Sequence, residues 1–88
     1  AEGGAITDVL DGFYDAEGTI PCQIDGGLKC FGHPIGASGI RMLYEMYLQL
    51  SHRAGPRQLE APRIGMTHNL GGSPMSNVAA VCIIGAAD

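Results

Sequence analysis

The feature that most constrains this chain is a helical segment that is apolar on nearly every side. From Ala37 to His52 the spacing of apolar residues predicts one helix, which Gly55 and Pro56 end. Three polar residues spaced four apart interrupt its apolar surface: Arg41, Glu45 and Gln49. A helix of this kind is buried on most sides, or else leaves its Met and Tyr side chains half exposed. Because 88 residues form only one small domain with a marginal core, we predict a single domain over residues 1–88. In that prediction the helix is buried inside a larger body, which a partner chain or further sequence completes.

The remaining elements follow from periodicity and turn residues. Apolar residues at helical spacing predict a helix over Ala5–Tyr14, and Pro21–Ile24 is typical of a short strand. Two further strands are predicted over Arg63–Thr67 and Asn77–Ile84. The predicted order is therefore α-β-α-β-β, with Ser38 or Gly36 as the N-terminal cap of the central helix.

Charge and cysteine content exclude several classes of protein. The net charge is −4 with five Lys and Arg residues, so a nucleic-acid partner is not expected. No apolar run reaches the roughly 18–20 residues of a membrane span. Three cysteines without close pairing argue against a disulfide framework and favour a reducing, cytoplasmic setting. The first residues contain neither an initiator Met nor a signal-type stretch, which fits a processed chain or a piece of a longer one.

The strongest candidate for chemistry is His33, which lies between Gly32 and Pro34. Proline restricts the backbone of the preceding residue, and glycine permits the close approach of another group. An imidazole held rigidly beside a helix N-terminus can act as a general base toward a thiol or donate to a developing oxyanion. By spacing alone, an ordinary turn histidine is the commoner explanation.

A second candidate is the glycine-rich run from Asn69 to Ser73. Backbone N–H groups in such a bend can form part of an oxyanion hole, although a hairpin connection is the simpler interpretation. A metal site formed by Cys30, His33, His68 and Cys82 has only one closely spaced pair, so we predict no metal and treat the cysteines as small core residues.

Two motifs together resemble the thiolase family. Residues 23–39, with the run GHPIGASG from Gly32, resemble the thiolase GHP loop, and the HNLGG run from His68 resembles the last catalytic loop. The likeness is greatest to the C-terminal portion of the sterol-carrier-protein type, which is acetyl-CoA acetyltransferase-like. It implies an α/β fold in which helices pack on a mixed β-sheet as part of a larger layered body.

The resemblance also implies roles for individual residues. His33 matches the histidine that activates a nucleophilic cysteine, and Gly71 matches a glycine whose N–H contributes to an oxyanion hole. Four further residues would line the substrate loops: Gly32, Pro34, Asn69 and Gly72. Asn69 stands where many thiolases carry a reactive cysteine, and sterol-carrier types draw that cysteine from an upstream loop instead. Neither that loop nor a nucleophile motif is present in these 88 residues.

The resemblance implies Claisen condensation or thiolysis of 3-ketoacyl-CoA, with coenzyme A thioesters as substrates and no cofactor. The partner is the remainder of a thiolase or a separate subunit, in a homo- or hetero-oligomer, and the isolated chain is expected to be inactive. Two alternatives stay open: a non-catalytic, thiolase-like interaction subunit, and part of a β-ketoacyl synthase-like condensing enzyme. Acyl-chain length and reaction direction are not determined by the sequence.

Overall fold

A computed structural model of the protein describes residues 2–87, so the ends of the predicted domain, Ala1 and Asp88, lie outside the described residues. The chain divides into two compact units, Ala1–Gly32 and His33–Asp88. The described residues form three helices, one 3₁₀ turn and two strands: α1 (Ala5–Leu10), α2 (Gly27–Phe31), α3 (Ser38–Leu50), the turn Gly55–Arg57, β1 (Ile64–Ser73) and β2 (Ser76–Gly85). The predicted class, helices combined with a β-sheet, is confirmed, although the order of elements is not.

The first unit contains two short helices. α1 ends at Leu10, four residues before the predicted end at Tyr14. The chain turns at Gly12, whose φ of 72° is left-handed and stops the helix. Within α1 the apolar residues Ile6 and Leu10 are 75% and 81% exposed. The predicted helical face therefore forms, and its apolar residues are exposed in the part of the chain that the structure describes.

The predicted strand Pro21–Ile24 is wrong. Gln23 has a φ of 49°, which is incompatible with an extended strand. A turn follows in which the Gly27 N–H donates to Asp25 Oδ1 at 3.0 Å, and Gly26, with φ 86°, begins the unpredicted helix α2. The predicted order α-β-α-β-β is corrected to three helices followed by a hairpin, because local turn bonds compete with extension here.

The second unit is built on α3, whose bounds lie within those predicted. Ser38 is not the N-terminal cap, and neither is Gly36: Ala37 holds that position, without a side-chain cap bond. The helix ends at Leu50, and His52 follows with a left-handed φ of 56°.

A long hairpin completes the second unit. β1 and β2 pair antiparallel from Ile64 opposite Gly85 to Ser73 opposite Ser76, joined by Pro74 and Met75. The strand predicted to end at Thr67 thus continues through the glycine-rich run. Glycine weakens a strand, but continuous pairing with the Val- and Ile-rich β2 holds the run extended.

α3 packs on β1 at a close approach. A Cβ added to Gly65 would lie 2.7 Å from Met46 Sδ, so glycine allows the helix to lie against the strand. Gly65 and Thr67 are buried and alternate with exposed neighbours, as expected for a strand with one covered face.

The interior of the described chain is mainly polar. Among residues 2–87, Ala54 is the buried hydrophobic residue, and the buried polar residues are Ser38, Glu45, Gln49 and Thr67. The predicted apolar side of α3 is open instead, with Ile40, Tyr44 and Tyr47 at 70%, 58% and 51% exposure. The three cysteines, expected in a core, are exposed free thiols. Residues 2–87 therefore leave these apolar side chains and thiols uncovered.

Candidate catalytic loop and its surroundings

The loop before α3 contains the predicted histidine. Gly32, at the end of α2, has a φ of 71°, a conformation that favours glycine whatever the free space around it. His33 and Pro34 follow, and both are exposed. The next turn closes through the Pro34 carbonyl, which accepts the N–H groups of Ala37 at 2.8 Å and Ser38 at 3.0 Å. This turn leads the chain directly into the 13-residue helix α3.

The imidazole of His33 is anchored at one nitrogen. Its Nδ1 lies 2.7 Å from Ser38 Oγ, and that hydroxyl also donates to the Pro34 carbonyl oxygen at 3.2 Å. Ser38 is only 5% exposed, so water does not compete freely for the hydroxyl. Within residues 2–87 the ring is hydrogen bonded through Nδ1 alone, and the residue is exposed.

Two glycines that follow His33 have open space at their Cα atoms. A Cβ added at Gly36 or Gly39 would meet no atom within 4 Å. A helix N-terminus also carries N–H groups without partners in the helix and a partial positive charge. The loop that carries His33 therefore leads into a helix end at which negative charge is favoured.

The second predicted loop is placed in the hairpin. Asn69 is half-buried and lies opposite Ala80, Gly71 opposite Val78, and Gly72 opposite Asn77. These residues are strand residues rather than a bend between strands, so the hairpin interpretation is correct with its tip displaced to Pro74 and Met75.

The two glycines of this strand differ in their surroundings. A Cβ added to Gly71 would meet no atom within 4 Å. Gly72 has a φ of 100°, and a Cβ there would collide with the Ser76 carbonyl oxygen. Gly71 therefore leaves open space in front of its backbone, whereas Gly72 is required for the course of the strand.

The structure brings together some of the predicted residues. His33 and Pro34 share Ser38 as a partner. No hydrogen bond joins His33 to Asn69, Gly71 or Gly72 among the residues that the structure describes. Ser38 was predicted as a helix cap, and its bond to His33 has no signal in the sequence beyond a spacing of five residues.

A second polar cluster, at the other end of α3, was not predicted. We call it the Glu45–Gln49 network. Glu45 Oε2 accepts from Arg57 Nη2 at 2.8 Å in an ion pair, and Glu45 Oε1 accepts from Gln49 Nε2 at 3.2 Å. Gln49 Nε2 also donates to the Arg57 carbonyl at 2.8 Å, and Gln49 Oε1 accepts the Leu59 N–H at 2.9 Å.

Gln58 completes this network. Its Nε2 donates to the Gln49 carbonyl at 3.0 Å, and its Oε1 accepts the Ala54 N–H at 3.0 Å. Glu45 and Gln49 are 6% and 3% exposed, so the network pins the segment after α3 to the helix. The available signal was the spacing of four between these residues, which places them on one face of the helix.

Residues 2–87 contain neither a metal-ligand cluster nor a membrane-spanning helix. Nowhere in that range do three or more His, Cys, Asp or Glu side chains gather as ligands for a metal ion. No helix of that range has the length and apolar character needed to cross a membrane.

Comparison with known proteins defines the class. The model of the family "Thiolase C-terminal domain-like" matches residues 1–84. The chain therefore belongs to the thiolase C-terminal domain-like family, as the GHP and HNLGG motifs predict. No solved structure matches it.

Curated relatives include an acetyltransferase, a sterol carrier protein and a thiolase subunit. An acetyl-CoA acetyltransferase of Methanothermobacter thermautotrophicus is 49% identical over 82% of this chain and 18% of its own length. Sterol carrier protein 2 of Rattus norvegicus is 39% identical over 80% of this chain and 12% of its own length. The benzoylsuccinyl-CoA thiolase subunit BbsB of Thauera aromatica is 42% identical over 81% of this chain and 19% of its own length. The chain thus spans less than a fifth of each of these relatives.

Proposed function

We propose that this chain supplies the histidine, and one backbone oxyanion donor, of a thiolase that cleaves or forms 3-ketoacyl-CoA thioesters. The observation that carries the proposal is the anchored ring of His33, whose Nδ1 bonds to Ser38 and whose Nε2 has no hydrogen bond from residues 2–87. Membership of the thiolase C-terminal family and the acetyltransferase and thiolase names of the relatives support the reaction class. Coenzyme A thioesters are the proposed substrates, with no cofactor.

The first step begins with a cysteine thiol from outside this chain. Nε2 of His33 takes the thiol proton, and the thiolate attacks the 3-keto carbon of the 3-ketoacyl thioester. The bond between carbons 2 and 3 of the substrate then breaks. The acyl group that contained the keto carbon stays on the cysteine sulfur, and the electron pair of the broken bond passes into the enolate of the released thioester. The protonated ring then has an Nε2–H that can donate to an oxygen of the substrate.

Gly71 is proposed as the second donor. Gly71 lies opposite Val78 in the strand ladder, so its N–H would reach a thioester oxygen only where this pairing opens. The open space at its Cα leaves room for the substrate. Gly32 and Pro34 hold the histidine loop, while Asn69 and Gly72 flank Gly71 on β1.

The nucleophile is proposed to come from the remainder of a thiolase or from a partner subunit. Cys22, Cys30 and Cys82 are exposed, and none stands in a thiolase nucleophile motif. The purified chain alone should therefore show no thiolysis of acetoacetyl-CoA, and measurable turnover would contradict the proposal. The free thiols favour a reducing compartment, and we propose the cytoplasm.

The decisive variant is His33→Ala in the complete assembly with the nucleophile-bearing segment. Loss of a base or oxyanion donor of this kind lowers turnover by about 10²–10³-fold. The measurement is acetoacetyl-CoA thiolysis at saturating substrate. A matched control is His52→Asn, since Asn tolerates the left-handed backbone of that exposed residue. Wild-type turnover in His33→Ala would refute the assignment.

A non-catalytic interaction subunit is the second candidate, and the uncovered apolar residues of α3 favour it. Multi-angle light scattering separates a stable monomer, which argues against an obligate partner, from an assembly. Full activity of an assembly carrying His33→Ala would favour this second function over the first.

A further inference from the structure

We propose that Ser38 is a positioning residue that holds neutral His33 as the tautomer with its proton on Nδ1. This inference rests on the proposed function of His33, which it deepens. The test measures which nitrogen of the His33 ring carries the proton. Failure of this inference can therefore be distinguished from failure of the proposed function.

The argument begins with the single proton of the Ser38 hydroxyl. Oγ has two partners, His33 Nδ1 at 2.7 Å and the Pro34 carbonyl oxygen at 3.2 Å. A carbonyl oxygen only accepts, so that contact is a hydrogen bond only when the hydroxyl donates to it. The contact with Nδ1 is then a hydrogen bond only when Nδ1 carries the proton. One assignment therefore satisfies both contacts.

The surroundings support this direction. Ser38 is 5% exposed and lies in the first turn of α3, where its own N–H also donates to the Pro34 carbonyl at 3.0 Å. The residue is thus held by backbone as well as side chain. Ser38 does not cap the helix, so its hydroxyl is available to accept a hydrogen bond from His33.

The assignment has a chemical consequence. With the proton on Nδ1, the lone pair of the neutral ring is on Nε2, the nitrogen without a partner in residues 2–87. A thiol proton can then move to Nε2: the S–H bond breaks, the Nε2–H bond forms, and a thiolate and an imidazolium result. Nδ1–H stays bonded to Oγ throughout, so no other proton has to move. The opposite tautomer would present an Nε2–H and could not accept the proton there.

The first measurement is long-range ¹H–¹⁵N correlation NMR of ¹⁵N-histidine-labelled protein in alkaline buffer, where imidazole rings are neutral. The signals of His33 are identified by their loss in His33→Ala. We expect the Nδ1–H pattern in the wild type and a shift toward the Nε2–H pattern in Ser38→Ala. An Nε2–H pattern in the wild type, or an unchanged Nδ1–H pattern in Ser38→Ala, would overturn the proposal.

The second measurement is the turnover of the complete assembly. Loss of the correct tautomer should lower kcat for Ser38→Ala by about 10–100-fold with little change in KM. Ser38→Thr keeps the hydroxyl and should restore both the Nδ1–H pattern and most of the turnover. Ser51→Ala removes a hydroxyl that donates to the Tyr47 carbonyl at the far end of the same helix and should change neither.

The combined outcomes are distinguishable. Active His33→Ala refutes the proposed function and leaves the tautomer result standing. Inactive His33→Ala with fully active Ser38→Ala refutes the role of Ser38 alone.

Discussion

The two ends of α3 both hold a neighbouring segment through side chains, but they do so in different ways. At the C-terminal end, the buried side chains of Glu45 and Gln49 share bonds with Arg57, Gln58 and Leu59. At the N-terminal end, one hydroxyl, that of Ser38, holds the exposed ring of His33. Removal of a buried partner leaves polar groups without water, whereas an exposed ring can rebond to solvent. The C-terminal end should therefore determine stability, and the N-terminal end chemistry.

The largest loss of stability is expected from Gln49→Ala. The change removes partners from the Arg57 carbonyl, the Leu59 N–H and Glu45 at a site that is 3% exposed. We expect the free energy of unfolding to fall by about 3 kcal/mol, since each unpaired buried group costs about 1–3 kcal/mol. Urea unfolding measures this, with Glu60→Ala, an exposed residue on the same connection, as the control. A loss no greater than that of the control would remove the distinction between the two ends.

The next largest effect separates two adjacent glycines of β1. Gly72→Ala places a side chain at a φ of 100° and against the Ser76 carbonyl oxygen, and about 2 kcal/mol of stability should be lost. Gly71→Ala meets no atom within 4 Å and should leave the free energy of unfolding nearly unchanged. Parallel urea titrations compare the two variants. Equal losses in the free energy of unfolding would contradict the distinction between Gly71, the proposed donor, and Gly72, which the strand geometry requires.

The smallest loss of stability is expected from Ser38→Ala. The Pro34 carbonyl keeps the N–H groups of Ala37 and Ser38, and the exposed His33 ring can bind water. The free energy of unfolding should therefore fall by about 1 kcal/mol or less. The same variant is expected to change the tautomer of His33, so a stability loss as large as that of Gln49→Ala would show a structural role instead.

Several elements could be predicted because their causes are local. Apolar periodicity predicted α3 nearly to its ends, and the β-branched run predicted β2. α2 and the extension of β1 were missed, since the first depends on a left-handed Gly26 and the second on pairing with a distant strand. Glycine content alone does not distinguish a strand held by its partner from a loop.

The sequence by itself determined the family, the central helix with its apolar surface, and the identity of the candidate histidine. Each of these depends on residue types at short spacing along the chain, and such patterns are present whatever the tertiary structure. The tertiary structure decided that Ser38 serves His33 rather than the helix end, and that Glu45 and Gln49 are buried while Ile40 and Tyr44 are exposed. The reason is physical: a hydroxyl or amide bonds to the groups that the folded backbone brings within about 3 Å, and neighbours along the chain do not specify those groups.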